Sequence, residues 1–170
     1  MTGKQRNVLF LCTGNSARSI LAEALLNRAG AGRFRAFSAG SFPKSEPHPA
    51  ALDLLAEQGL PTQGLRSKSW DEFAAARAPK MDMIITVCDN AAGETCPVWP
   101  GHPATAHWGI EDPAAVEGEG QRQAFFNAMT YLQRRISLLL SLPDEELDAL
   151  SWQGRVREIG RIDDGGGSGG

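Results

Sequence analysis

NVLFLCTGNSARS, residues 7–19, joins a short apolar run to a polar loop and then to the start of a helix. The apolar run over residues 7–11 predicts a buried strand. Apolar residues then recur at helical spacing as far as Leu25, and Gly30 ends the pattern, which predicts a helix over residues 19–28. A loop between a strand and a helix lies at the carboxyl edge of an α/β sheet, where such folds bind their ligands.

Strands and helices continue to alternate along the rest of the chain. Further apolar runs predict strands over residues 34–38, 83–87 and 105–108. Helices are predicted to begin at Pro49 and at Ser69, and apolar residues at helical spacing from Phe125 to Leu139 predict a long helix that ends before Pro143. This alternation favours parallel strands joined by right-handed crossovers. The predicted fold class is α/β, a three-layer sandwich in which helices flank a four-stranded parallel sheet.

Length and composition limit the class of protein. The 170 residues suit one main domain, and 42% hydrophobic with 22% charged residues is typical of a globular protein. The net charge of −3 argues against nucleic acid or a membrane surface as a partner, and no apolar run approaches the about 20 residues of a membrane span. We expect a main domain over residues 1–143, a helical extension over 144–161 and a flexible glycine-rich tail over 162–170.

The polar loop spells Cys12-x5-Arg18, and its position gives that spacing a chemical meaning. Successive N–H groups of such a loop can point inward as an anion cradle, and the positive end of the helix dipole adds to the potential. Arg18 can bind a tetrahedral oxyanion through two parallel hydrogen bonds. The same potential favours the nucleophilic thiolate of Cys12. The candidate oxyanion-binding residues are Thr13, Gly14, Asn15, Ser16, Ala17, Arg18 and Ser19.

Three loop residues carry more specific expectations. Gly14 lets the backbone approach the anion, Asn15 tolerates a left-handed conformation, and the Ser19 hydroxyl can donate to the Cys12 thiolate. The alternative is a nucleotide-phosphate loop in which the cysteine is incidental. The lysine of the Walker pattern is absent, which argues against that alternative.

The chain holds three cysteines, Cys12, Cys88 and Cys96. A sparse, odd set is not a disulfide framework and fits a reducing, cytoplasmic compartment. Cys12 and Cys88 each follow a predicted strand, so both are expected at the same edge of the sheet. Two other interpretations stay open. Cys88 and Cys96 could be ordinary buried cysteines, or ligands of a zinc ion completed by His102 and His107, although Cys-x7-Cys is wider than the usual spacing.

CTGNSARS, residues 12–19, resembles the phosphate-binding loop of the low-molecular-weight tyrosine phosphatase superfamily. Asp112-Pro113 resembles the Asp-Pro of that superfamily, whose aspartate is the general acid, and SAG at 38–40 resembles the end of its second strand. The resemblance covers residues 7–142. It implies that the main domain is a catalytic domain of this fold.

The segment that begins at Cys88, CDNAAGETCPVWPGHPATAHWGIEDPAAVEG, is similar to bacterial arsenate reductases of the thioredoxin-coupled type. That resemblance implies attack of Cys12 on arsenate, attack of Cys88 on the Cys12 sulfur, and resolution of the disulfide by Cys96. Phosphate and sulfate are expected to compete, thioredoxin or a similar thiol reductant to regenerate the enzyme, and no cofactor or metal to be needed. Members often have a cysteine where this chain has Ala17, but that position lies outside the relay.

Two alternative functions remain. A phosphatase of the same fold would hydrolyse phosphate monoesters with Cys12, Arg18 and Asp112 alone. Against it, Asp112-Pro113 is followed by Ala-Ala-Val, where eukaryotic tyrosine phosphatases tend to have aromatic residues that grip phosphotyrosine. A non-catalytic oxyanion sensor is the third possibility, and turnover with a thiol reductant distinguishes it from both enzymes.

In related reductases, an acidic residue at the position of Glu23 joins a bound potassium ion. Glu23 lies one helical turn after Ser19 and can face the loop. This chain has Lys68 where cation-binding members tend to have small polar residues, and we interpret its ammonium as a replacement for the metal. His48, before Pro49, is interpreted as a helix-start residue rather than a base.

Overall fold

The computed structural model describes residues 5–74, 78–87 and 104–142. Its four strands are β1 (Arg6–Leu11), β2 (Phe34–Ala39), β3 (Met83–Thr86) and β4 (Ala104–His107). They form one parallel sheet in the order β2-β1-β3-β4, which confirms the predicted sheet. Because β1 lies inside the sheet, the loop that leaves it has a neighbouring strand on each side.

The helices are α1 (Arg18–Ala29), α2 (Pro49–Glu57), α3 (Asp71–Ala74) and α4 (Gly120–Leu140), and a short 3₁₀ turn covers Pro113–Ala115. His48 begins α2 as predicted, since its Nδ1 accepts a hydrogen bond from Ala50 N–H at 3.0 Å. The predicted long helix is confirmed: it contains the apolar residues from Phe125 to Leu139, begins at Gly120 and ends before Pro143. The predicted extension over 144–161 and the tail over 162–170 lie outside the described residues.

The carboxyl ends of the strands are aligned, and this alignment positions the loop. Leu11 pairs with Ala39 on one side and with Thr86 on the other. Past the strand ends, Cys12 N–H donates to Ala39 O at 3.2 Å and Val87 N–H donates to Leu11 O at 2.9 Å. Cys12 therefore leaves the sheet at its carboxyl edge, as the strand and loop pattern predicted.

The sheet is buried on both faces. Side chains of a strand alternate between faces, and in β1 all of Val8, Leu9, Phe10 and Leu11 are buried. Val8 and Phe10 belong to a large apolar cluster with α1, α2 and α4, whereas Leu9 and Leu11 pack in a smaller cluster with Phe73 of α3. This gives the three predicted layers. Among the helices that the structure describes, none is both long and apolar enough to cross a membrane.

Candidate active site

The loop between β1 and α1 is held by its carbonyl groups. Four hydrogen bonds reach consecutive loop carbonyls from outside: Phe42 N–H to Thr13 O (2.9 Å), Lys44 N–H to Gly14 O (2.9 Å), Ser67 Oγ to Asn15 O (2.7 Å) and His48 N–H to Ser16 O (2.8 Å). In a trans peptide the N–H points away from the C=O of the same unit. The N–H groups of residues 14–17 are therefore turned toward the inside of the loop. Convergent amides of this kind can cradle an anion.

Asn15 fixes the shape of the loop. Its φ is 47°, in the left-handed region, as predicted, and the residue is fully buried. Two hydrogen bonds of its side chain stabilise this conformation: Asn15 Nδ2 donates to Ser19 Oγ at 2.8 Å, and Asn15 Oδ1 accepts from Lys68 N–H at 2.9 Å. Because Ser19 Oγ accepts this bond, the hydroxyl proton of Ser19 remains available for another acceptor.

Gly40 supports the loop from below, a role that the sequence analysis missed. A Cβ at this position would lie 2.4 Å from Thr13 O and 2.6 Å from Cys12 O, so a larger residue collides with the loop backbone. The signal in the sequence was a glycine two residues after the strand predicted over residues 34–38, which neighbours β1. The family resemblance includes residues 38–40 but assigns Gly40 no contact with the loop.

Cys12 is the first residue after β1 and is 4% exposed. The amino end of α1 follows it at Arg18, so the positive end of the helix dipole faces the loop. Positive potential and inward amides both favour an anionic sulfur over a neutral thiol. This arrangement suits a nucleophilic thiolate.

Arg18 reaches across to the segment after β4. Its Nη1 donates to Ile110 O at 2.8 Å, and its Nη2 lies 3.7 Å from Asp112 Oδ2. Its Nε is buried and has no hydrogen-bond partner among the residues that the structure describes. An unsatisfied buried donor costs free energy, which a bound oxyanion would recover by accepting from it.

Asp112 lies beside Arg18 although 94 positions separate them in the sequence. Its Oδ1 accepts from Ala114 N–H at 3.0 Å and thereby begins the 3₁₀ turn Pro113–Ala115. Its Oδ2 faces Arg18, and the carboxyl is 44% exposed. The structure thus brings Cys12, Arg18 and Asp112 to one edge of the sheet, where a carboxyl group can exchange a proton with solvent and with a leaving oxygen.

Lys68 extends the site under the loop. It is 8% exposed, and its Nζ lies 2.7 Å from Arg66 O, 3.4 Å from both Asn15 Oδ1 and Ser38 Oγ, and 3.8 Å from Glu23 Oε1. Glu23 also accepts a hydrogen bond from the Ser38 hydroxyl. As predicted, Glu23 faces the loop, and Lys68 connects the two because its ammonium lies near both Glu23 Oε1 and Asn15 Oδ1.

Burial and charge act in opposite directions on this buried pair. Burial raises the pKa of Glu23, while the Ser38 hydrogen bond and the Lys68 charge partly counteract that rise. Burial lowers the pKa of Lys68, and the Glu23 charge opposes that fall. The charge of each group therefore favours the ionised form of the other.

Two of the predicted catalytic residues, Cys88 and Cys96, lie outside the described residues, as does His102 of the zinc alternative. The fourth residue of that alternative, His107, is described. Its Nδ1 lies 2.6 Å from Thr86 Oγ1, at the ends of β3 and β4. The relay and the zinc alternative both stay predictions.

The fold and the loop define the class of protein. Residues 7–150 match the family of low molecular weight phosphotyrosine protein phosphatases, and the chain belongs to this family. An arsenate reductase of Bacillus licheniformis is 36% identical over 126 residues, which are 72% of this chain and 85% of that relative.

Two solved arsenate reductases share the fold. The thioredoxin-dependent arsenate reductase of Corynebacterium glutamicum has a TM-score of 0.59 at 27% identity, and the match covers 82% of this chain and 62% of that one. An arsenate reductase in its phosphate-binding state has a TM-score of 0.60 at 28% identity over 78% of this chain and 97% of the other. The comparisons confirm the family resemblance and the fold class.

Proposed function

We propose that this chain is an enzyme that reduces arsenate to arsenite at the loop of residues 12–18. The proposal rests on three features that lie together: the buried Cys12, the inward-turned amides, and a buried Arg18 Nε–H that has no hydrogen-bond partner within residues 5–74, 78–87 and 104–142. These groups suit a tetrahedral oxyanion beside a nucleophilic sulfur. Relatives named arsenate reductase favour arsenate as that oxyanion.

The first chemical step forms the bond between sulfur and arsenic. The amides of residues 14–17 and the Arg18 guanidinium hold arsenate, and the Cys12 thiolate attacks the arsenic atom. One arsenate oxygen must leave. Asp112 gives it a proton, so it departs as water rather than as oxide. Ser19 donates its hydroxyl to the Cys12 sulfur and keeps the thiolate oriented.

The second step transfers two electrons. The Cys88 thiolate attacks the Cys12 sulfur, an S–S bond forms, and the electron pair of the S–As bond stays on arsenic. Arsenic falls from +5 to +3 and leaves as arsenite. Cys96 then attacks the Cys88 sulfur and frees Cys12. A protein dithiol such as thioredoxin reduces the resulting disulfide of Cys88 and Cys96, in keeping with the thioredoxin-dependent neighbour.

Lys68 has a positioning role in this proposal. Its ammonium lies among oxygen atoms of Asn15, Ser38 and Glu23, a set that would otherwise suit a monovalent cation. The ammonium of Lys68 supplies that charge from the chain itself, without a bound metal ion. Catalysis is therefore expected to be independent of added potassium.

The deciding experiment measures arsenite production with thioredoxin, thioredoxin reductase and NADPH. Cys12→Ser is expected to abolish turnover, and Cys88→Ser to abolish arsenite release. Cys96→Ser is expected to complete about one turnover and then to stall as a disulfide of Cys12 and Cys88, which mass spectrometry detects. Repeated arsenate turnover by Cys88→Ser would contradict the relay.

A second candidate is hydrolysis of phosphate monoesters, which the family match favours. Water can release phosphate from a phosphorylated Cys12 without a second thiol. An aryl phosphate therefore separates the two candidates. If the phosphatase is the true function, Cys88→Ser keeps full hydrolysis and the wild type produces no arsenite.

A further inference from the structure

Lys44 lies at the rim of the loop, and the role inferred for it below rests on the proposed function. Lys44 N–H donates to Gly14 O at 2.9 Å, and the side chain then crosses Gly14. A Cβ built on Gly14 would lie 3.3 Å from Lys44 Cε and 3.4 Å from Lys44 Cγ. The aliphatic stem therefore lies against the loop, while the residue as a whole is exposed.

This packing brings the Lys44 ammonium close to the anion cradle. The amide N–H of Gly14 is one of those turned inward, and Nζ is one bond beyond Cε. Standard bond lengths and hydrogen-bond distances place Nζ within about 10 Å of an oxyanion bound at that amide. This separation is about one Debye length at 0.1 M ionic strength, so the anion experiences the charge of the lysine.

The other cations near the loop already have carboxylate partners. Arg18 Nη2 lies 3.7 Å from Asp112 Oδ2, and Lys68 Nζ lies 3.8 Å from Glu23 Oε1. Lys44 has no ion pair within residues 5–74, 78–87 and 104–142. Its ammonium therefore has no carboxylate within ion-pair distance in this part of the chain, and it can still attract an anion that approaches the loop.

We propose that Lys44 attracts dianionic arsenate to the loop and that it acts on oxyanion binding rather than on the chemical step. The chain carries a net charge of −3, which repels an anion at long range, and a rim cation offsets that repulsion locally. Arsenite is uncharged at neutral pH, so the same lysine does not retain the product. Lys44 thereby favours substrate over product.

The test combines calorimetric titration of inorganic phosphate with steady-state arsenate reduction. Lys44→Met keeps the stem that packs on Gly14 but loses the charge, and Lys44→Glu reverses the charge. At low ionic strength, phosphate affinity and kcat/KM for arsenate are expected to fall about fourfold in the first variant and about fifteenfold in the second. The value of kcat is expected to stay within about twofold of wild type. Lys44→Arg keeps the charge and is expected to keep both phosphate affinity and kcat/KM near the wild-type values. About 0.5 M salt is expected to remove most of the differences between the variants and the wild type.

Lys80→Glu is the matched control. Lys80 is also exposed, but it lies at the amino edge of the sheet, where its carbonyl accepts from Asn7 Nδ2 at 2.9 Å. The control is expected to behave as wild type, and an equal loss in both glutamate variants would overturn a local role for Lys44. If the wild type reduces arsenate normally but Lys44→Glu binds phosphate as tightly as the wild type does, the role of Lys44 is overturned and the proposed function stands. A wild type that neither binds phosphate nor reduces arsenate would overturn the proposed function with it.

Discussion

Replacing Gly40 by alanine tests how the residue after β2 supports the loop of residues 12–18. The new Cβ would lie 2.4 Å from Thr13 O and 2.6 Å from Cys12 O, whereas a carbon and an oxygen atom need about 3.3 Å. Gly40 cannot easily retreat, because its N–H donates to Lys68 O and its carbonyl accepts from Trp70 N–H, each at 2.9 Å. The loop must therefore move by roughly 0.7–0.9 Å.

The displacement sets the size of the expected effects. Overpacking of this kind costs about 1–3 kcal/mol of the free energy of unfolding. A shift of nearly 1 Å in a catalytic loop costs about 10²-fold in rate, since the nucleophile and the cradle no longer meet the substrate together. Gly40→Ala is thus expected to lose more activity than its modest loss of stability accounts for.

The assay compares kcat/KM for arsenate with the unfolding free energy from denaturant titration. Gly59→Ala is the control, because φ at Gly59 is 77° and nothing lies within 4 Å of a Cβ there. Backbone strain in this control is expected to lower the free energy of unfolding by about 1–2 kcal/mol while kcat/KM stays unchanged. Full activity in Gly40→Ala would refute the packing of the loop on β2.

Three further predictions concern individual charged groups. Arg18→Lys keeps the charge but loses the planar fork, so kcat/KM for arsenate is expected to fall about 10²-fold, and near wild-type kinetics would contradict the cradle. In Asp112→Asn the side chain can still accept from Ala114 N–H, but it has no proton to give, so the single-turnover rate is expected to fall about 10²-fold. An unchanged rate would mean that Asp112 only begins the turn. Lys68→Met leaves Glu23 buried without its cation, and this is expected to lower the free energy of unfolding by about 3 kcal/mol near pH 7. Burial already raises the pKa of Glu23, and loss of the Lys68 charge raises it further. Protonation of Glu23 then stabilises the folded variant, so the loss of unfolding free energy is expected to shrink toward about pH 5. Equal losses at pH 7 and pH 5, measured by denaturant titration, would contradict this account.

The elements around the loop could be predicted because their signals are local. The run over residues 7–11 is apolar without interruption, as expected of a strand buried on both faces, and the structure has β1 over Arg6–Leu11. The helix predicted over residues 19–28 is α1, Arg18–Ala29. The long helix α4 was predicted from its apolar residues, which begin at Phe125, and its first turn, from Gly120, could not be predicted because its polar residues show no apolar periodicity.

The contacts that shape the site could not be predicted in the same way. Ser67 anchors Asn15 O from 52 positions away, and Lys44 crosses Gly14. Serines and exposed lysines occur throughout any chain, and nothing in their own neighbourhood distinguishes these two. Asp112 was identified beside the loop only through the family resemblance, because no periodicity links it to Arg18.

The described site is suited to an oxyanion and to a nucleophilic sulfur, and hydrolysis and reduction both need these two features. Once Cys12 holds phosphorus, water can attack, and the sulfur leaves unchanged. Once Cys12 holds arsenic, a second sulfur can attack Cys12 itself, because arsenic accepts the electron pair of the broken bond whereas phosphorus does not. The choice between the reactions therefore depends on a thiol that reaches Cys12 sooner than water reaches the bound atom. Val87, whose N–H is bonded to Leu11 O, is followed directly in the sequence by Cys88, which makes that cysteine the residue on which the proposed function depends.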